Sequence, residues 1–549
     1  MIHVRRRSHR LLAVLLPLAL VVASCGGKEG GDENTEVGDP ERGGSVTYAL
    51  EAETTDGWCL PEAQLAISGI MVARTVYDTL TAPNAAGEYV PYLAKSVTPN
   101  DSYDEWTITL RDGIKFHDGT DLTAEVVKNN LDAYRGSYDN RPNVLLFRFV
   151  LANIDTVEVT GDMEVTVTTK VPWVAFPAFL HGSGRIGILA QAQLDNEDAC
   201  DTELIGTGPF KLESWEVNQE FVAVKNPNYW QDAPDGQPYP YLDEIRFRPI
   251  IEPEQRVNAM ESGNIDLLHA SGAPEFLTLR DLKENGQANT YESAENAEVT
   301  FLQMNTSEPP LDDIRVRQAL ALSIDREDYR QVINQGLFQQ ATGPFAPGSI
   351  GYLEETGFPK EGDIEEATRL VEEYEAENGP IELTYQATPG TQTQQIAQYV
   401  QQAFGNIGMD INLTTIEQAE LISNAIAGDF QIQGFRNYPG GDPDELYVWW
   451  STGSPANFAR IDDPEIQRLL DEGRSEPDPD ARKQIYQDLN RRFGEQVWSL
   501  WANWTEWIVG SRPEVHGFSA EEQPKLPDGS APFKGLPTGH PVQGIWVEQ

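Results

Sequence analysis

The chain has 549 residues, of which 40% are hydrophobic and 9% aromatic, enough to build sizeable cores and to exclude global disorder. Its formal net charge is -47, and a surface this acidic repels phosphate backbones and anionic lipid, so nucleic acid is excluded as a partner. Because single cores stop growing at about 250–300 residues, we expect two or more lobes.

The N-terminus is organised like an export signal. Arginines between Arg5 and Arg10 precede an apolar run from Leu11 to Val22, which is too short for a bilayer span but suits a signal peptide. Small residues then lead directly to Cys25, as in the bacterial lipobox. Residues 1–24 are therefore predicted to be a lipoprotein signal peptide, with Cys25 lipidated. The alternative is an ordinary signal peptide that happens to contain this cysteine.

The next segment, residues 25–40, is Gly-rich and acidic and is predicted to be a flexible tether. No later segment approaches 18 uninterrupted apolar residues. We therefore expect the lipid anchor to be the only attachment to a membrane, on the outer face of the cell membrane.

Strands and helices are both predicted along the rest of the chain. Alternating patterns predict strands at 45–50, 106–110 and 221–224, a hairpin over 157–167, and a strand from Ile411. Thr123 and Asp312 or Asp313 are candidate N-caps, the latter for a helix whose apolar positions reach Ile333, and a further helix is expected around 396–404. Mixed elements in both halves favour α/β lobes.

Two cysteines, Cys59 and Cys200, remain once Cys25 is assigned to lipid. An even number in an oxidising compartment predicts a disulfide. Two buried free thiols are the alternative, while a metal site is disfavoured because no histidine lies at short ligand spacing from either cysteine.

Four segments in order resemble the solute-binding proteins of ABC importers for oligopeptides, dipeptides and nickel (family 5). Each is weak alone, but the ordered set covers nearly all of residues 43–520. They are Tyr77–Leu80 with Leu110–Thr120, Gly206–Leu212 with Asn226–Trp230, Asp313–Leu320 with Ile324–Arg326, and Gly441–Asp444 followed by a helix around Tyr486.

The resemblance implies a two-lobed α/β fold of the periplasmic-binding-protein-like type II class, with an extra subdomain inserted in the first lobe. The first lobe would comprise residues 40–75, 205–300 and 500–549, the insert 76–204, and the second lobe 301–499. Chain crossovers near Phe301 and Val497 would form a hinge.

The resemblance also implies a ligand cleft between the lobes, lined by the segment after the first strand and by the stretch around Asp-Pro-Asp. The second stretch is dense in aromatic and polar groups, as a binding loop should be. Trp449 and Trp450 could instead be core residues. The candidate ligand-binding residues are Glu53, Asp56, Trp58, Arg436, Asn437, Tyr438, Asp442, Trp449 and Trp450.

One departure from peptide-binding relatives concerns charge. Those proteins often carry an aspartate a few residues before the Asp-Pro pair, which receives the ammonium of the peptide. Here that stretch is Tyr438-Pro439-Gly440-Gly441, so the ionic anchor is either missing or supplied elsewhere, with Glu53, Asp56 or Asp442 as candidates. The histidines after residue 25 are widely spaced, so no metal site or other cofactor is expected.

These observations predict a monomeric, extracytoplasmic binder, not an enzyme, that captures a small peptide or peptide-like solute by hinge closure and hands it to an ABC permease and its ATPase. A secreted hydrolase of peptides or glycans is the first alternative. The chain has no Gly-x-Ser-x-Gly elbow and no His-Glu-x-x-His motif, but a catalytic carboxylate pair stays open. The second alternative is a receptor or chaperone-like lipoprotein working without an importer.

Overall fold

The computed structural model describes residues 38–54, 57–63, 65–144, 146–437, 441–519, 521–536 and 541–549, without the side chains at 295, 296, 418 and 419. Residues from Pro40 to Gln549 form one compact unit. The strands are β1 (Ser45–Leu50), β2 (Thr81–Pro83), β3 (Tyr89–Pro91), β4 (Ala94–Pro99), β5 (Glu105–Leu110), β6 (Ile154–Gly161), β7 (Glu164–Thr169), β8 (Phe210–Glu216), β9 (Glu220–Lys225), β10 (Glu244–Pro249), β11 (Leu267–Ala270), β12 (Asn289–Met304), β13 (Glu382–Ala387), β14 (Asp410–Thr415), β15 (Ile432–Asn437), β16 (Ser499–Ser511), β17 (Val515–His516) and β18 (Trp546–Val547).

Helices alternate with these strands, and short 3-10 turns occur at Gly182–Gly184 and Pro443–Leu446. The α-helices are α1 (Ile67–Val76), α2 (Ala124–Tyr134), α3 (Phe147–Val150), α4 (Phe176–Phe179), α5 (Gln191–Leu194), α6 (Pro253–Glu261), α7 (Ala273–Glu284), α8 (Ile314–Leu322), α9 (Arg326–Asn334), α10 (Ile364–Asn378), α11 (Thr391–Gly405), α12 (Gln418–Ala427), α13 (Tyr447–Trp450), α14 (Pro464–Ser475) and α15 (Pro479–Gln496).

Local sequence signals account for several of these bounds. Thr123 caps α2 by accepting a hydrogen bond from the backbone N–H of Val126, and Asp313 caps α8 in the same way from Arg315. The prediction of one helix reaching Ile333 is wrong in one respect: the chain leaves the helix after Leu322, and Asp325 caps a new one, α9. The apolar spacing predicted a single helix, but the chain forms two helices here, each with its own N-cap.

Two long strands run through the whole molecule. The main sheet has ten strands in the order β14-β13-β15-β12-β16-β11-β1-β10-β9-β8. β12 and β16 pair antiparallel from one end to the other, with irregular register between Ser293 and Glu298 and again at Thr300. β15 joins β12 only from Val299 onward, whereas β11 joins β16 only from Ile508 onward. The irregular register therefore lies where the sheet passes from one half of the molecule to the other.

Apolar residues form two large cores on either side of this passage. One runs from Val46 to Leu267 and resumes at Trp507, and the other runs from Ala297 to Trp504. We call the elements around them the first and second lobes. A separate four-stranded sheet, β4-β5-β7-β6, shares the core of the first lobe, and we call residues 76–204, which contain it, the insert. The α/β, two-lobed architecture is as predicted, while the residue bounds of the lobes stay a prediction.

A disulfide and two glycines fasten the insert. Cys59 and Cys200 form a disulfide that closes a loop of 141 residues, a constraint that contributes about 2–5 kcal/mol in the chain-entropy model. A Cβ added to Gly206 would lie 2.0 Å from the carbonyl oxygen of Val76, and one added to Gly208 would lie 2.6 Å from it. The Gly-Thr-Gly motif thus permits a close chain crossing that no larger residue allows.

Among the residues that the structure describes, no helix combines the length and the apolar character that a membrane span needs.

Candidate functional site

Arg436 reaches from the second lobe to the first beside the irregular stretch of β12. It lies at the end of β15, where Nη1 donates a hydrogen bond of 2.9 Å to Ser271 Oγ. Its guanidinium also lies 4.0 Å from a carboxylate oxygen of Glu51 and 3.8 Å from one of Glu298. Ser271 and Glu51 follow β11 and β1 of the first lobe, so a single cation links both lobes to the connecting strand.

Charges in this group stabilise one another. Burial opposes ionisation of Glu51, but the positive charges of Arg436 and Arg256, with the hydrogen bond from Ser271, outweigh it and hold the pKa of Glu51 below its usual value. Burial likewise opposes the charge on Arg436, but Glu298 and Glu51 raise its pKa. The side chain of Arg436 is 41% exposed, whereas those of Glu51 and Glu298 are 18% and 14% exposed. The side chain of Arg436 is therefore partly open to solvent, beside two carboxylates that are more deeply buried.

Glu51 is held in place by the first lobe. Its Oε1 accepts hydrogen bonds from the backbone N–H of Ser271 at 2.9 Å and from Ser271 Oγ at 3.0 Å. The backbone N–H of Glu51 donates to His269 Nε2, and Arg256, paired with Glu275 at 2.5 Å, lies 3.7 Å from the carboxylate. Burial raises the pKa of Glu275 to about 7 despite Arg256. The position of Glu51 is thus fixed before any ligand arrives.

The segment after β1 differs from the prediction at Trp58. Its side chain is 1% exposed in the core of the first lobe, where it packs edge-on against Trp215 and Phe221. Because its indole is buried between two aromatic side chains, Trp58 is a core residue and does not line a cleft. Glu53 accepts hydrogen bonds from the backbone N–H groups of Thr54 and Asn218. Asp56 lies outside the described residues.

The Asp-Pro-Asp stretch also departs from the predicted role. Asp442 receives two hydrogen bonds from Arg482, of 2.7 and 2.6 Å, so its charge is already balanced. Trp450 is 7% exposed and packs on Phe493 in the core of the second lobe. We therefore correct the assignment of Trp450 as a cleft residue, whereas the role of Asp442 as a ligand counter-charge stays a prediction.

Two aromatic or polar candidates remain near the surface. Trp449 is half-buried against Phe458. Asn437, half-buried, pairs with Val299 beside Arg436 at the end of β15. Tyr438 and Cys25 lie outside the described residues. Of the predicted site residues that the structure describes, Arg436 and Asn437 lie at the passage between the lobes.

Sequence reasoning missed three members of this group: Glu51, Ser271 and Glu298. Glu51 lies more than two hundred residues before Ser271 and Glu298, and the three lie in no shared motif. Glu51 alone carried a usable signal, as the first charged residue after a buried strand. In the described part of the chain, no group of three histidine, cysteine or carboxylate side chains is arranged to hold a metal ion.

Comparison with known families gives one extended match. The sequence model of one protein family, the bacterial extracellular solute-binding proteins of family 5, matches residues 88–458. The match covers most of the insert, the connecting strand β12 and much of the second lobe, and so includes Glu298 and Arg436.

Individual relatives are similar to most of the chain. The nickel-binding periplasmic protein of Escherichia coli K12 is 27% identical over 463 residues, which cover 80% of this chain and 86% of the relative. The glutathione-binding protein GsiB of Salmonella paratyphi A is 29% identical over 384 residues, 70% of each chain. The structure of the periplasmic binding protein DppA from Helicobacter pylori in complex with peptide STSA aligns with a TM-score of 0.79 at 22% identity, covering 93% of this chain and 99% of that one. The predicted type II periplasmic-binding fold is confirmed.

Proposed function

Because this chain belongs to the bacterial extracellular solute-binding proteins of family 5, we propose that it captures a small peptide or peptide-like solute between its lobes and delivers it to an ABC permease. Proteins of this family are extracytoplasmic, non-catalytic components of importers for peptides or nickel. The hydrolase alternative is therefore set aside.

The observation that carries the proposal is the position of Arg436. A ligand that contacts it together with Glu51 touches both lobes at once, and only such a ligand favours the closed form over the open one. Three charged groups, two negative and one positive, suit a solute with polar ends of opposite charge, as in a peptide. Asn437 adds a polar side chain next to Arg436 at the end of β15.

The test is to identify what the protein binds. Mass spectrometry of solute released from the purified protein should detect a peptide or a peptide-like molecule. Calorimetry with glutathione, the tetrapeptide STSA and Ni²⁺ should give a dissociation constant of about 1 μM or lower for at least one peptide probe, equivalent to about -8 kcal/mol. Binding of Ni²⁺ alone, or release of a bound molecule in chemically altered form, would contradict the proposal.

We also propose that Cys25 anchors the protein to the membrane by lipid. The support is the apolar run of residues 11–22 followed by small residues and the cysteine. Replacing Cys25 with alanine is expected to move the protein from the membrane fraction to the soluble fraction, since a soluble body then has no attachment. Cell fractionation with an antibody measures this, and a membrane-bound Cys25→Ala variant would refute lipidation at that residue.

The importer-independent receptor remains the second candidate function. Genes for a permease and an ATPase beside this one, and loss of solute uptake on their deletion, would favour the importer. Uptake that does not depend on any permease would favour the receptor.

A further inference from the structure

The second lobe makes a further contact, with the insert, through two adjacent carboxylates. Trp173 Nε1 donates a hydrogen bond of 2.6 Å to Asp444 Oδ2. Ser183 Oγ donates one of 2.6 Å to Glu445 Oε2, and Tyr89 Oη donates one of 3.2 Å to Glu445 Oε1. Two carboxylates of the segment predicted to face a ligand, those of Asp444 and Glu445, are therefore occupied by the insert.

Backbone and apolar groups extend this contact. The backbone N–H of Val174 donates to the carbonyl oxygen of Arg474 at 3.0 Å. Half-buried side chains before and within α3, including Phe149 and Val150, pack against a small cluster that contains Val448 and Phe458 of the second lobe. The contact thus has hydrogen bonds and apolar burial, as specific interfaces do.

The polar groups are arranged so that the contact can separate. Trp173 and Asp444 are both fully buried. Asp444 also pairs with Arg474 at 3.0 Å, and both belong to the second lobe. Separation would therefore leave the carboxylate paired with its own arginine, while the indole and backbone N–H groups of the insert would turn to water. No unpaired buried charge would remain, so opening escapes the main cost of breaking buried ion pairs.

None of these residues lies on β12 or β16, the strands that connect the lobes. The contact closes the molecule at the insert, whereas Arg436 acts beside the connecting strands. We propose that Asp444 and Glu445, with Trp173 and Ser183, form a latch that holds the closed form and thereby sets the affinity for every ligand of the cleft. This inference rests on the proposed function.

A latch outside the ligand site has a definite signature. It changes the fraction of molecules in the closed form, so weakening it raises the dissociation constants of all ligands by the same factor. It does not change which ligand binds best. These residues are positioning residues, because they act through closure.

The first test variant is Gly441→Ala, which lies far along the chain from Val174, the residue whose amide reports on the contact. A Cβ there would lie 2.4 Å from Tyr89 Oη and 3.1 Å from Tyr89 Cζ, so Gly441→Ala pushes the insert away. Gly405→Ala is the matched control, because nothing lies within 4 Å of the added Cβ. The reporter is hydrogen exchange at the amide of Val174 in ligand-free protein, since that amide is bonded across the contact.

Trp173→Phe is the second variant, and it removes the indole N–H together with part of the ring. Its control is Trp230→Phe, which loses a similar bond of 2.9 Å to Asp78 away from the contact. We expect Gly441→Ala and Trp173→Phe each to speed exchange at Val174 about tenfold, the scale of one hydrogen bond to a charged group. The two controls should leave it unchanged.

Unchanged exchange at Val174 in both Gly441→Ala and Trp173→Phe would overturn the latch, and so would equal acceleration in the controls. The readout needs no ligand, so this result leaves ligand capture untouched. Conversely, a protein that binds neither glutathione nor STSA but shows accelerated exchange would retain the latch and lose the proposed function. Where a probe binds, its dissociation constant should rise by the same factor for each peptide.

Discussion

Replacing Arg436 with alanine is expected to weaken the binding of glutathione or of STSA, whichever binds the natural protein, by about 100-fold. The substitution removes the cation that links both lobes and leaves Glu51 and Glu298 without it. Two carboxylates that lose a shared cation repel each other across the passage between the lobes, which disfavours closure as well as contact with the ligand. Calorimetry measures the change in affinity.

Arg468→Ala is the matched control, since it removes the same charge from the surface of the second lobe, where Arg468 pairs with Glu465 and Glu472. Exposed pairs of this kind contribute about 0–1 kcal/mol, so affinity should hardly change. Thermal unfolding of both variants checks that they fold. Equal affinity in Arg436→Ala and the natural protein would remove Arg436 from the site.

The closed form is expected to lose population as the pH rises from about 5 to 8. Burial and the charge of Asp442 raise the pKa of Glu445 from 4.5 to about 8, against the hydrogen bonds of Ser183 and Tyr89 and the charge of Arg185, which act in the opposite direction. The closed form therefore keeps a proton on Glu445 that the open form releases. Closure is strongest below pH 4.5, falls by up to about tenfold for each pH unit between 5 and 8, and levels off above 8.

Small-angle scattering of ligand-free protein follows this change as an increase in the radius of gyration. Glu445→Gln carries no titrating proton and should give a flat profile over the same range. Asp444 keeps Arg474 in both forms, so it adds little to the dependence. A radius of gyration that does not change with pH in the natural protein would show that Glu445 does not control closure. So would a Glu445→Gln variant whose radius of gyration changes with pH as in the natural protein.

Local sequence patterns predicted much of the fold, because helix caps and strand alternation depend on residues that are close together in the chain. β1 begins and ends where its alternation does, and Thr123 caps α2 as expected. The exception at Leu322 has the same origin: apolar spacing continues across a break that the cap at Asp325 imposes. Spacing reports which face is buried, but it does not report whether one helix or two present that face.

The site was less predictable because its members meet only through topology. Nothing near Glu51 or Glu298 in the sequence names Arg436 as the partner, since parallel and antiparallel pairings in the sheet bring them together. Likewise, nothing near Asp442 in the sequence indicates its ion pair with Arg482, which lies 40 residues later. An aromatic residue such as Trp58 carries the same composition signal in a core as in a cleft.

The insert and the first lobe share one hydrophobic core. Trp106 and Leu131 of the insert belong to the same apolar core as Tyr48 and Phe247. The stretch between the two bonded cysteines is therefore not a cassette that can be transplanted from a relative, since a foreign stretch would meet a surface shaped for different side chains. Engineering of ligand preference should proceed by substitutions in place, or should exchange the whole half of the molecule at once.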